Sequence, residues 1–297
     1  MTNDNRLSTN NNLVVIVGPT ASGKSELAMR VAKEFNGEII CADSRTIYKA
    51  MDIGTAKPLK TDQKAIQHWG LGLIEPGQRY SAARFKSYAE AKILDIQSRG
   101  KLPILVGGTG LYIDSVLFNF DFVGGPGPAK RAKLEELSTE KLQEIIKKRG
   151  YKMPQNLQNR RHLVGVIERA GQAGIRTPKP RKDALIIGLM PPDAVLKGSI
   201  ASRAEFMFES GIIKETVSLR KRYGVDVFSP MAGIVYSICL RQINGKISQK
   251  QAIELFKIAD WQYARRQRTW FRRNRYIKWF SSSEQAYKTV QKQLLNT

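Results

Sequence analysis

Gly18, Pro19, Thr20, Ala21, Ser22, Gly23, Lys24 and Ser25 follow one another as G-x-x-x-x-G-K-S. That run does chemistry when a strand precedes it and a helix follows it. Its glycines let the backbone curl so that successive N–H groups point at phosphate oxygens. The N-terminus of the next helix adds a partial positive charge. Lys24 is placed to meet a terminal phosphate as a point charge, and Ser25 to ligate Mg²⁺. The loop therefore predicts binding of a diphosphate or triphosphate. It is of the kind shared by nucleotide- and ATP-binding proteins, and it does not by itself specify ATP. Asp43 closes a second apolar run and has three readings: a Mg²⁺ ligand, a general base for an incoming nucleophile, or a turn cap helped by Ser44. Thr109 lies in the glycine-flanked turn Gly107-Gly-Thr-Gly110, where backbone approaches a ligand closely and a hydroxyl can hold a diphosphate oxygen.

These groups need a scaffold. Leu13-Val-Val-Ile-Val17 is continuous and β-branched, so it reads as a buried parallel strand. Glu38–Ala42, Leu102–Val106 and Ala184–Leu189 read the same way. Helical periodicity over 26–35 and 82–99 fills the gaps. Strand–helix alternation predicts an α/β fold, a P-loop, NTPase-like parallel sheet covered by helices. In such sheets the ligand sits at the carboxyl ends of the strands, where Gly18, Asp43 and Thr109 all fall. Gly124-Gly-Pro-Gly-Pro128 breaks the pattern. Helices are expected over 130–149 and 160–170, then a loop over 174–180, and nearly continuous helix after Pro192. The expected organisation is a frayed tail (1–12), a catalytic core (13–120 and 184–297) and a helical insertion (121–183).

The chain has 297 residues, 42% of them apolar, enough for a sizeable core. No apolar run reaches the ~18 residues of a membrane span. The Asn-rich start lacks the pattern of a secretory signal. Cys41 and Cys239 cannot form a disulfide framework or a four-ligand zinc site, so a reducing, cytoplasmic setting is expected. The net charge is +23. It is unevenly spread: +4 over 1–120, +8 over 121–183 and +11 over 184–297. That asymmetry suggests a catalytic core followed by a surface for a polyanion, usually nucleic acid. Between Asp260 and Lys278 seven basic residues alternate with aromatics. On one helix, Trp261, Arg265, Arg268, Arg272 and Arg275 would share a face able to track a phosphate backbone. Tyr263 and Trp270 are read as core.

The motifs assemble into something familiar: the phosphate loop, Asp43-Ser44 with Ile47-Tyr48, and Met51-Asp-Ile-Gly-Thr-Ala-Lys-Pro58. Tyr80-Ser-Ala82, Val106-Gly-Gly-Thr-Gly-Leu-Tyr112, Tyr263-Ala-Arg-Arg-Gln267 and Thr269-Trp-Phe-Arg272 complete the set. With these the chain resembles, over nearly its whole length, the tRNA dimethylallyltransferases, also called tRNA isopentenyltransferases. The resemblance implies transfer of a dimethylallyl group from dimethylallyl diphosphate to the exocyclic amine of the adenine just 3′ of the anticodon. It implies that the loop (Gly18 to Ser25) holds the diphosphate with Mg²⁺ at Ser25, that Asp43 is the general base, and that Thr109 meets the leaving group. It implies tRNA contacts, to the anticodon stem-loop, at Asp43, Ser44, Arg45, Thr46, Thr109, Arg131, Arg160, Arg161, Arg265, Arg268 and Arg272. A bacterial-type, cytoplasmic monomer is expected, with no membrane partner.

The chain departs from the family pattern in places. Val235-Tyr-Ser-Ile238 stands where Gly-Tyr-Lys/Arg-Glu/Gln is usual, Gly165-Val-Ile-Glu168 replaces Arg-Ala-Leu-Glu, and Asp260-Trp261 replaces Thr-Arg. An arginine that reaches the diphosphate aligns near Ala232, and compensation by another arginine, such as Arg241, is expected. Two other classes compete. A P-loop kinase for a small metabolite explains residues 13–35 alone, and a non-catalytic RNA-binding derivative would explain the departures.

Overall fold

The computed structural model describes residues 13–122, 128–172, 174–228 and 234–296. The expected tail, Ala232 and most of the Gly124–Pro128 break lie outside them. In chain order the elements are β1 (Leu13–Val17), α1 (Lys24–Glu34), β2 (Gly37–Cys41), α2 (Lys60–Ala65), β3 (His68–Trp69), α3 (Ala82–Ser98), β4 (Leu102–Gly107) and α4 (Gly110–Leu117). Then come α5 (Pro128–Glu136), α6 (Thr139–Lys148), α7 (Arg160–Glu168), β5 (Ala184–Leu189), α8 (Asp193–Glu209), α9 (Ile212–Tyr223), α10 (Ile234–Ile243), α11 (Gln249–Phe271), β6 (Lys278–Phe280) and α12 (Ser283–Leu295).

Among the described residues the strands form one sheet in the order β3-β2-β4-β1-β5-β6, parallel throughout. Val14 faces Ile104 in register, and Val15 faces Ile186. Helices cover both faces, which is why β1, β2 and β4 are buried along their whole length rather than on alternate residues. Val14, Ile16, Ile39 and Ile104 pack with α1 and α12 through Leu27, Val31, Tyr287 and Val290. Residues of the opposite parity, Val15, Ile40 and Leu105, are as fully buried, and α3 and α4 pack on β2 and β4. Each such side chain contributes ~1.5–3 kcal/mol of transfer free energy.

The chain divides into two compact units, one running to Leu117 and resuming at Pro180, the other spanning Phe118–Lys179. Where the first unit is left and re-entered, the Arg181 N–H donates to the Leu117 carbonyl (2.8 Å). The second unit packs α5, α6 and α7 around Leu142, Ile146, Leu163 and Val164. The single helix expected over 130–149 is two helices, because the Ser138 hydroxyl accepts the Lys141 N–H and caps α6. The chain is also not helical to its end. Asn274 Oδ1 accepts the Tyr276 N–H (3.0 Å), turning the backbone so that β6 can pair with β5. Neither β3 nor β6 carries enough residues to show a strand pattern in the sequence.

Candidate active site

The loop after β1 is buried at Gly18, Pro19, Thr20 and Ser22. Ala21 takes φ 59 and Gly23 φ 85. The second is easy for glycine; the first is a small strain of the sort that persists where surrounding structure dictates it. The loop delivers Lys24 as the first residue of α1, with its Nζ donating to the Pro19 carbonyl (2.9 Å). Burial pulls the Lys24 pKa from 10.5 down to about 8; Asp43 and Asp260 oppose the shift and Arg203 adds to it. The Ser22 hydroxyl is buried without a hydrogen-bond partner, and Ser25 is exposed in the first turn of α1. No group of three or more metal-ligating side chains occurs among the described residues. A hydroxyl plus ligand oxygens and water is a donor set that suits Mg²⁺ bound with a diphosphate.

The tips of β2 and β4 are tied together. Asp43 Oδ1 accepts the Arg45 N–H (2.7 Å), a tight Asx turn that holds the carboxylate still. The Ser44 N–H donates to Thr109 Oγ1 (2.9 Å), and the Thr109 N–H donates to the Ala42 carbonyl (3.2 Å). Thr46 is buried, its hydroxyl donating to the Asp43 carbonyl (3.4 Å). Asp43, Ser44 and Thr109 are therefore tied into one hydrogen-bonded junction.

α11 lies across this mouth. Burial first, then the nearby Asp43, raises the Tyr263 pKa, with Arg45 and Thr109 opposing the rise. Tyr112, stacked on Phe85 (4.2 Å), also has a raised pKa, through burial first, with Tyr48, Tyr80 and Asp43 adding. Gln267 accepts the Thr20 N–H of the phosphate loop, and Asp260 is linked to that loop through Arg203. Asp260, buried, pairs with Arg203 of α8 (3.2 Å), and Arg203 donates to the Thr20 hydroxyl. Arg203 was invisible to sequence reasoning, since 183 residues separate it from Thr20 and no local motif marks it. Arg241, the expected substitute clamp, is exposed on α10. Among the described residues, Arg203 is an arginine that bonds directly to the loop. The departure at Val235 is a core matter, because that side chain is buried with Tyr236, whose hydroxyl donates to Glu215.

The predicted basic face needs correcting. α11 ends at Phe271, so Arg275 is not on it. Trp261 packs with Leu196 and Ile200, and Arg268 pairs with Asp193, so these two members of the face turn toward α8. Arg265 of that face is exposed, and it shares a solvent-facing patch with Arg266 and, just past the helix, Arg273, beside Gln262, Thr269 and Trp270. Trp270 is not core. It is 36% exposed, and its indole N–H donates to Asp114 (2.8 Å). Arg272 is exposed at the helix end, and Arg45 is half-buried at the tip of β2. In the inserted unit Arg131 pairs with Glu135 and Glu168, Arg160 donates to the Glu135 carbonyl (2.8 Å), and Arg161 is exposed.

A parallel sheet, a lysine-bearing loop between β1 and α1, and polar groups gathered at the strand ends define an α/β protein of the P-loop kind. A sequence model of the IPP transferase family matches residues 46–274, and one described as isopentenyl transferase matches residues 11–69. The chain belongs to the IPP transferase family. It is 38% identical over 302 residues to the tRNA dimethylallyltransferase of Caldanaerobacter subterraneus subsp. tengcongensis, covering 94% of each chain. It is 37% identical to that of Carboxydothermus hydrogenoformans, covering 95% of this chain and 96% of the other. The crystal structure of a tRNA isopentenylpyrophosphate transferase from Staphylococcus epidermidis superposes with TM-score 0.70 at 33% identity, covering 96% and 98%. A eukaryotic dimethylallyltransferase acting on tRNA gives 0.71 at 25% identity, covering 88% of this chain and 69% of that one.

Proposed function

We propose that this protein transfers the dimethylallyl group of dimethylallyl diphosphate to the exocyclic amine of the adenine just 3′ of the anticodon in tRNA. The observation that carries the reading is the hydrogen-bonded junction of Asp43, Ser44 and Thr109 beside the Lys24 loop. It sets a carboxylate, a hydroxyl and a phosphate cradle at one mouth. The adenine leaves the anticodon stack, at a cost of a few kcal/mol. The amine nitrogen forms a bond to the allylic carbon as the carbon–oxygen bond to diphosphate breaks. Asp43 takes the amine proton, and diphosphate departs with the bonding electron pair. An arylamine is a weak nucleophile, so losing its proton during attack lowers the barrier. Lys24, the loop N–H groups and Arg203 face the charge that grows on the leaving group, with Thr109 donating to it. Mg²⁺, held by Ser25 and diphosphate oxygens, would neutralise part of that charge. Tyr112 and Tyr263 wall the mouth with apolar ring surface suited to the isoprene unit. The exposed arginines of α11 and Arg161 meet RNA phosphates.

The test is incubation of the protein with bulk tRNA and labelled dimethylallyl diphosphate, followed by nucleoside analysis. Label in a prenylated adenosine is expected. Label absent from tRNA, with ATP turned over in its place, would show a kinase.

A further inference from the structure

One buried amide spans the mouth. Gln267 is 5% exposed, and both ends of its side chain are used. Its Oε1 accepts the Thr20 N–H (2.7 Å), and its Nε2 donates to the Gly108 carbonyl (3.0 Å). Thr20 belongs to the loop after β1 and Gly108 to the loop after β4. The β1 loop holds the phosphate cradle, and the β4 loop holds Thr109, which is bonded to Ser44 beside Asp43. The fit is close on both sides. A Cβ added to Gly108 would stand 2.1 Å from Gln267 Nε2. One helical turn on, a Cβ at Gly110 would stand 2.2 Å from the Trp270 ring. Asp260, Tyr263, Gln267 and Trp270 are spaced as one face of α11. Asp260 pairs with Arg203, Gln267 bonds to the two loops and Trp270 bonds to Asp114.

We infer that Gln267 is a positioning residue that sets the separation between the diphosphate cradle and the Asp43–Thr109 edge. It rests on the transfer reaction proposed above. That reaction joins a carbon anchored through its diphosphate on one loop to a nitrogen deprotonated at the other. A shift between the loops leaves each substrate bound and spoils their alignment. A misplacement of about 1 Å costs roughly 10²-fold in rate. A primary amide is suited to the task because it accepts from an N–H and donates to a carbonyl at once. A carboxylate offers no donor for Gly108, and a thioether of similar length offers neither bond.

The experiment compares the full-length wild type with Gln267→Met and Gln267→Glu. Hydrogen exchange is read over Gly18–Ser25 and Gly107–Tyr112, inorganic diphosphate affinity by calorimetry, and the single-turnover rate at saturating donor and tRNA. Gln267→Met is expected to speed exchange in both loops and slow transfer by about 10- to 100-fold, with diphosphate affinity within threefold of wild type. Gln267→Glu, which retains only the Thr20 bond, should speed exchange mainly around Gly108 and also slow transfer. Unchanged exchange, an unchanged rate, or rate and affinity falling by the same factor overturns the role. Absence of transfer by the wild type overturns the reaction itself and this role with it. Normal wild-type transfer separates the two.

Discussion

At the residue scale the site divides by how far apart its members lie in the chain. Lys24 was legible from the motif of its loop, and Asp43 and Thr109 because each closely follows the end of an apolar run, positions that the strand-end rule for parallel sheets brings together. Arg203 and the bridging role of Gln267 were not, because their partners lie 183 and 247 residues away and only folding pairs them. The lowered pKa of Lys24 has a measurable sign. Diphosphate needs the protonated amine, which is lost in the free protein as pH rises through about 8. Affinity for inorganic diphosphate should therefore fall above pH 8 in the wild type, and binding there should take up a proton. Lys24→Arg stays protonated throughout. The ionisation of diphosphate is common to both proteins, so the difference between their profiles isolates the lysine; superimposable profiles would refute the shift. Asp43→Asn keeps the size and the acceptor for Arg45 but cannot take a proton. It should slow single-turnover transfer by ~10²–10⁴-fold with both substrates still bound. Equal rates would remove Asp43 as the base.

At the element scale, apolar continuity made β1, β2, β4 and β5 readable, and the same criterion hid the two short edge strands. The basic stripe of α11 was mis-phased for a related reason. Arginine has a long apolar stem and takes part in both buried pairs and solvated faces, so charge alone does not say which side of a helix is wet. Arg268 against Asp193 is the decisive case. One element carries its own acid sensor. Glu38 in β2 is buried and binds Arg99 (2.5 Å), Lys101 (2.8 Å) and the Trp69 indole (2.8 Å). The Arg99 bonds foremost hold its pKa near 2, down from 4.5. A depressed carboxylate stabilises the fold above its unfolded pKa and loses that contribution as pH falls through its folded one. Wild-type melting temperature should thus drop between about pH 4.5 and 2. Glu38→Gln should lower stability at pH 7 by about 1–3 kcal/mol, discounted because both cations are partly solvated, and should flatten that acid limb. A variant as acid-sensitive as the wild type would assign the limb elsewhere.

At the scale of the whole molecule, the charge of +23 makes salt the natural probe. Each RNA phosphate met by a cation contributes a log–log slope of about −0.7 on single strands. Replacing Arg265 and Arg266 by alanine should flatten the tRNA-binding slope by more than one unit. Arg268→Ala should leave it nearly as it was, because that guanidinium already serves Asp193. The reverse ranking in filter-binding titrations would put Arg268 against RNA and take Arg265 and Arg266 away from it. The bond from Arg181 to Leu117 has a different consequence. It pinches the chain shut at the point where about 60 residues leave the core and come back. Entropy of closure grows only with the logarithm of loop length, so a neck already pinched is nearly indifferent to how much chain hangs beyond it. Residues added to or removed from that cassette would therefore cost the sheet little, and the strand ends would keep their geometry.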